Sequence, residues 1–204
     1  MAMRRRLVGV RGLTKGGVLG IALLVLAACQ APVLPPPLPA LTYSHLEPIN
    51  LDVGRIEIVE KYVPPLKAPN VEHDFPTSPA TAMRQWGKDR LRAVGEIRTA
   101  RLVIKDASAI ETELETKGGL RGILTKDQSE RYDVKLDVDL EIRGEDGIAI
   151  AFANAVVTRS TTVTEGLSLS ERERVYHELT EGLMEEINSK LEKNIRQFLV
   201  QYIR

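Results

Sequence analysis

The chain has 204 residues, with 28 basic and 28 acidic side chains and no formal net charge. Its aromatics number nine (one Trp, five Tyr, three Phe), and the missing basic excess and scarce stacking groups argue against nucleic acid as a partner. Cys29 is the only cysteine, so no disulfide closes within the chain.

The first 28 residues carry Arg4, Arg5, Arg6, Arg11 and Lys15 and no acid, and end in the uncharged run Val18–Ala28. A basic start followed by a short apolar core is a secretory signal pattern. The run falls short of the roughly 20 apolar residues a spanning helix needs. Leu26, Ala27, Ala28 and Cys29 then stand in a row, and this tetrad resembles the lipobox of bacterial lipoproteins. The resemblance implies that residues 1–28 are a signal peptide and that Cys29 becomes the first residue of the mature chain. The thiol would carry diacylglyceryl, and the new amine a further acyl chain such as palmitate. More than one chain anchors stably, whereas one binds a membrane only marginally. Gln30 instead of Asp after the cysteine resembles the sorting pattern of outer-membrane lipoproteins facing the periplasm. Removing the signal takes five basic residues, which leaves 23 against 28 and a mildly acidic body of 176 residues.

All eleven prolines lie between Pro32 and Pro79. Five of them fall in Gln30–Leu41, which favours polyproline II and a spacer reaching on the order of 35 Å. We therefore take 29–47 as lipidated cysteine and tether, and 48–204 as one globular domain.

In Asn50–Tyr62, Leu51 and Val53 alternate in one phase and Ile56 and Ile58 in the other, with Gly54 at the switch. This predicts a strand with a bulge, ended by Pro64-Pro65 and followed by a loop over 63–77. Ser78-Pro79 is a hydroxyl N-cap with proline at the first helical position. The helix it opens carries Met83, Trp86, Leu91 and Val94 and stops at Gly95. A strand is predicted over Arg101–Glu115, and Gly118-Gly119 turns the chain.

Arg131–Arg143 is the clearest element. Val134, Leu136, Val138, Leu140 and Ile142 alternate with Asp133, Lys135, Asp137, Asp139 and Glu141, giving one buried and one wet face. Gly144–Gly147 makes a hairpin loop. In the next strand Ile148, Ile150, Phe152 and Val156 are expected to share the core, leaving Ala149, Ala151, Ala153 and Ala155 on the outer face. Ser170–Glu173 reads as a capping box. The long C-terminal helix has a stripe of Val175, Leu179, Leu183, Ile187, Leu191, Ile195, Phe198 and Tyr202. The order strand-helix-strand-strand-strand-helix predicts an α+β two-layer sandwich, an antiparallel sheet of about four strands packed by two helices.

Catalytic patterns are missing. There is no G-x-S-x-G elbow and no G-K-[ST] phosphate loop. Glu72-His73-Asp74 points to alternate sides of an extended chain. Glu173, His177 and Glu181 share a helix face but lack a visible second element for a metal; both sets read as solvated polar residues. No enzyme activity, cofactor or metal is expected. Leu120, Ile123 and Leu124 in "GGLRGIL" have two readings, a contact for a partner or leucines tucked under the sheet edge.

The lipobox, the tether and the element order together resemble two groups of periplasm-facing lipoproteins, the auxiliary lipoproteins of ABC-type transporters and the outer-membrane lipoprotein of lipopolysaccharide assembly. "IEIVEKYVPP", ahead of the helix with Trp86 and Leu91, adds to the first resemblance. It implies a non-enzymatic, lipid-anchored accessory protein of an envelope transport or assembly system, touching the membrane through its N-terminal lipid and binding an envelope protein. The alternative is a module holding a small or lipidic ligand between sheet and helices.

Overall fold

Alternating apolar and charged residues over Arg131–Arg143 build the element around which the structure is laid. The computed structural model describes residues 36–114, 128–164 and 166–204. In chain order they run β1 (Ile49–Leu51), β2 (Arg55–Glu60), α1 (Pro79–Arg90), β3 (Leu91–Ala93), β4 (Thr99–Asp106), β5 (Ala109–Glu113), β6 (Gln128–Arg143), β7 (Ala149–Thr164) and α2 (Leu169–Phe198). Single 3-10 turns stand at Glu72–Asp74 and Val200–Tyr202.

β6 is the spine of the main sheet. β7 pairs antiparallel along one side of it, from Gln128↔Thr164 to Arg143↔Ala149. On the other side β4 pairs with the C-terminal half of β6 and β5 with the N-terminal half. The single strand expected over Arg101–Glu115 is thus two strands on one track, stepped at Ala107-Ser108. β2 pairs parallel with β4. Five strands therefore occupy four tracks, and the sheet is mixed where an antiparallel one was expected. The cause is nonlocal: α1 lies between β2 and β4 in sequence, and a crossover of that kind returns the chain in the same direction.

The bulged strand expected over Asn50–Tyr62 is likewise two elements. β1 leaves the main sheet and pairs parallel with β3 in a separate ribbon. The phase switch at Gly54 marks the break. A Cβ there would lie 2.4 Å from the Glu96 carbonyl oxygen, so only glycine permits the approach.

α1 begins as its sequence requires, with Ser78 Oγ accepting from the Thr81 N–H and Pro79 at the first position. It ends at Arg90, before the expected stop at Gly95. Leu91 goes into β3 and is buried there, and Val94 lies beyond the helix on the surface. Met83 and Trp86 are fully buried. The Trp86 indole N–H donates to Asn188 Oδ1 of α2 at 2.8 Å. The buried Arg90 guanidinium donates to the Glu47 carbonyl and to the Glu192 carboxylate, joining α1, the segment before β1, and α2.

Both helices contact the main sheet through the core layer. Val134, Leu136, Val138, Leu140 and Ile142 are all fully buried there, as their alternation predicts. Leu183, Ile187, Leu191 and Ile195 of α2 close over them. Phe75 stacks on Tyr176 at 4.2 Å, and Tyr132 meets Tyr176 edge-on at 5.1 Å.

β7 has the opposite phase to the one expected. Ala153, Ala155 and Val157 are buried, while Ile148, Ile150, Phe152 and Val156 are exposed. The long helix α2 lies over β7. Its own large side chains fill the layer, so the strand beneath supplies small ones.

α2 starts two residues earlier than expected. Its capping box is Ser168 with Glu171: the Glu171 N–H reaches Ser168 Oγ, and the Ser168 N–H donates to the Glu171 carboxylate at 2.8 Å. At the far end Phe198 is exposed and leaves the buried stripe. The helix stops there, and Ile203 bridges to Leu51 of β1. No described helix is long and apolar enough to cross a membrane.

Candidate functional site

The face of the sheet away from the helices carries an ionic lattice. Lys105 of β4 pairs with Asp137 and Asp139 of β6 at 2.9 and 2.8 Å. Lys135 pairs with Asp106 at 2.8 Å, Arg101 with Glu57 at 3.0 Å, and Arg143 with Glu141 at 2.7 Å. Burial alone would raise the Asp106 carboxyl, but the Lys135 ammonium and the Ser108 hydrogen bonds hold it below its usual range. Burial likewise works against the charged Lys105, and its two aspartates outweigh that and raise it. Beneath these heads Val103 is buried on the outer face, shielded by long polar stems.

The lattice stops at β7. There the outward side chains include Ile150 at 49% exposed, Phe152 at 64% and Val156 at 36%, with exposed Asn154 between the last two. The three apolar ones form a strip on the outermost strand, next to an edge that pairs with no other strand among the described residues. Apolar residues on a long open edge invite pairing with another chain.

The edge has a groove beside it. Val156, Val157 and Thr158 of β7 form one wall, and Glu186, Ser189, Lys190 and Lys193 of α2 the other, around about 480 Å³. Two α2 side chains reach across it to β7 carbonyls. Lys190 Nζ donates to the Val156 oxygen at 2.8 Å, and Asn194 Nδ2 to the Asn154 oxygen at 2.7 Å. The Arg159 guanidinium pairs with Glu186 and packs over Gly182, where a Cβ would come within 2.8 Å of its Cζ.

A second hollow, of about 450 Å³, opens at the end of the sheet among Arg55, Arg98, Arg101 and Arg143. Three of these cations are held by carboxylates on the same sheet: Arg55 and Arg101 by Glu57, and Arg143 by Glu141. Arg98 lies 3.7 Å from Asp52 and faces the Tyr202 ring. On the helical side, Leu41–Leu46 packs against the body. Tyr43 is buried, and its N–H donates to Asp89 Oδ2 of α1 at 2.9 Å. Leu41–Leu46 thus lies on the helical layer, and no described segment covers the outer sheet face.

The residues singled out as polar clusters are placed differently than expected. Glu72 is 3% exposed instead of solvated. It accepts from the Tyr62 hydroxyl at 2.7 Å and the Ala109 N–H at 3.2 Å, fastening the loop before α1 to the start of β5. His177 is also buried, so Glu173, His177 and Glu181 are not one exposed polar face. Among the described residues no group of three or more His, Cys, Asp or Glu is placed to hold a metal ion. Leu26, Ala27, Ala28 and Cys29 lie outside the described residues, as do Leu120, Ile123 and Leu124.

No family model and no curated protein sequence matches the chain. Two of the solved structures similar to it are bacterial lipoproteins. A minor lipoprotein from Acinetobacter baumannii matches 71% of this chain and 95% of its own at 11% identity, with a TM-score of 0.36. The rare lipoprotein B from Shewanella oneidensis matches 68% of this chain and 92% of its own at 8% identity, with a TM-score of 0.33. At these scores no residue correspondence carries over, and function is read from this chain's own side chains.

The apolar strip was in the sequence as Ile150, Phe152 and Val156, assigned to the core. A signal for the other assignment is the spacing of Ala149, Ala151, Ala153 and Ala155 beside a helix rich in Leu and Ile. Small residues on one face let such a helix come close, and the bulky set is then left outside.

Proposed function

We propose that the chain is a lipid-anchored, non-enzymatic accessory protein of the cell envelope that works by binding another envelope protein through the β7 side of its sheet. The observation that supports this best is the β7 edge, unpaired among the described residues, with its exposed Ile150, Phe152 and Val156. A chain that acts alone leaves such an edge short, charged or covered. The space between sheet and helices is filled by fully buried Trp86, Leu102, Leu136, Leu140, Leu183 and Met184, which favours a protein partner over a ligand held inside.

The anchor in this reading is Cys29, diacylated at the thiol and acylated at the amine after cleavage behind Leu26-Ala27-Ala28. The proline tract spaces the body from the outer membrane on its periplasmic side. Leu120, Ile123 and Leu124, between β5 and β6, belong to the proposal as a second contact. The test is labelling with a radioactive fatty acid in cells, with and without a lipoprotein signal-peptidase inhibitor, followed by membrane fractionation. The wild-type chain should take label and remain with the membrane, and Cys29→Ser should do neither. Label persisting in Cys29→Ser overturns the anchor.

A further inference from the structure

We infer that the β7 edge receives an extended segment of a partner protein in which apolar residues alternate with acidic ones, added as a further strand of the sheet. The inference rests on the reading of the chain as an interaction protein and names the chemistry of its partner.

The direction of the edge groups follows from hydrogen bonds on the other side of the sheet. The Lys135 N–H of β6 donates to the Ser108 carbonyl at 2.9 Å, away from β7. Lys135 stands opposite Thr158. Lys135 and Thr158 therefore form a non-hydrogen-bonded pair, and the N–H and C=O of Thr158 point off the sheet. Residues two apart repeat this direction, so Val156, Asn154 and Phe152 point the same way. The contacts from α2 agree, since Lys190 and Asn194 meet the Val156 and Asn154 carbonyls from the open side. From Phe152 to Thr158 the edge thus offers backbone donors and acceptors at strand spacing.

Side chains on an added strand fall alternately on its two faces. Those on the outer face would lie beside Phe152 and Val156, where apolar residues cover exposed apolar surface. Those on the inner face would enter the groove toward Lys190 and Lys193. Glu186, the acid lining that groove, is already neutralised by Arg159. Lys190 contacts a carbonyl, and neither it nor Lys193 forms an ion pair among the described residues. Two ammonium groups without carboxylates favour acids in the inward positions. Lys190 then has two states. In the free chain it and Asn194 blunt the edge; in the complex they release the carbonyls to the partner's N–H groups, and Lys190 turns to an incoming carboxylate. A second copy of this chain fits less well. A two-fold pairing of β7 with itself across the apolar strip would set the lysines of both copies along one seam, where the lining acid, Glu186, is already held by Arg159.

The test uses the full-length chain in detergent and two synthetic peptides, read by fluorescence anisotropy. In one peptide valine or phenylalanine alternates with aspartate; in the other lysine replaces aspartate. The acidic peptide should bind about tenfold or more tightly than the basic one. Lys190→Glu with Lys193→Glu should reverse that preference. Asn194→Ala removes an edge guard and no charge, so it should tighten the acidic peptide severalfold. Thr158→Pro removes an edge donor and no sheet bond, and should abolish binding of both peptides. Circular dichroism checks that each variant stays folded, and the double lysine variant carries the test by itself if Thr158→Pro unfolds. Absent binding, equal binding of the two peptides, or indifference to the lysine reversal would overturn the inference. So would sedimentation as a dimer that Thr158→Pro makes monomeric, which would give the edge to a second copy. Failed lipid labelling of Cys29 leaves these outcomes unchanged, so the two readings fail separately.

Discussion

Ala153 and Ala155 are buried under α2, and Phe152, next to Ala153, is exposed. Size and burial are inverted along this strand, and that inversion makes the apolar strip. It also separates two kinds of substitution. Ala155→Leu forces extra carbons between β7 and α2 and should destabilise by about 1–3 kcal/mol in urea unfolding. Phe152→Ala removes surface that water already reaches and should change stability by less than about 0.5 kcal/mol. A large loss from Phe152→Ala with little from Ala155→Leu would restore the opposite phase. Glu72 shows the same limit of local reading. "EHD" in a proline-rich loop has no periodicity, and its burial depends on Tyr62 and the Ala109 N–H, which no spacing rule brings together.

At the scale of elements, β6 was legible because five apolar residues at period two can only line one face of a strand. The start of α1 was legible because Ser78-Pro79 is a local signal with a local cause. Its end was not: Leu91 suits a helix as well as a strand, and only pairing with β1 decides between them. The cap of α2 is the closest contest. Ser168 and Ser170 each have a glutamate three residues on, and the structure closes the box with Ser168 and Glu171. Ser168→Ala should therefore cost about 1 kcal/mol of stability, while Ser170→Ala should stay within about 0.5 kcal/mol. Equal losses in denaturant unfolding would show that the helix starts at neither serine uniquely.

For the whole molecule, the ion pairs set how stability depends on pH. The Arg172 guanidinium beside Glu130 lowers that carboxyl, with the Tyr132 hydroxyl adding to it against burial. Burial would raise Asp133, but Ser160 and Arg131 lower it, and Asp106 is lowered in the same way by Lys135. A carboxyl lowered by folding stabilises above its unfolded pKa, about 4, and that contribution is lost as pH falls through the folded value. Glu111, raised by burial and by Glu130, acts in the opposite sense. Lys105 and Lys135 are raised; Lys135 by Asp106, Lys105 by Asp139 and Asp137 against its burial. Their contribution is complete below about 10.4 and lost above it. Thermal unfolding should show a broad plateau at neutral pH, falling below about pH 4 and again above about pH 10. Arg172→Met should shrink the acid-side fall; an unchanged slope would remove Glu130 from the account.

The sequence by itself determined the faces of β6, the opening of α1 and the lone cysteine behind an apolar run. These are short-range facts, since period, cap and turn chemistry act over a few residues. The tertiary structure decided which side of β7 is buried, that β2 and β4 run parallel, and that β7 is an edge strand among the described residues. Period two separates two sets of side chains and does not say which set is covered. That choice belongs to the bulk of α2 lying across the strand, and the strand partners to a crossover through α1. The surface proposed for binding therefore became visible only once the helix had taken its place.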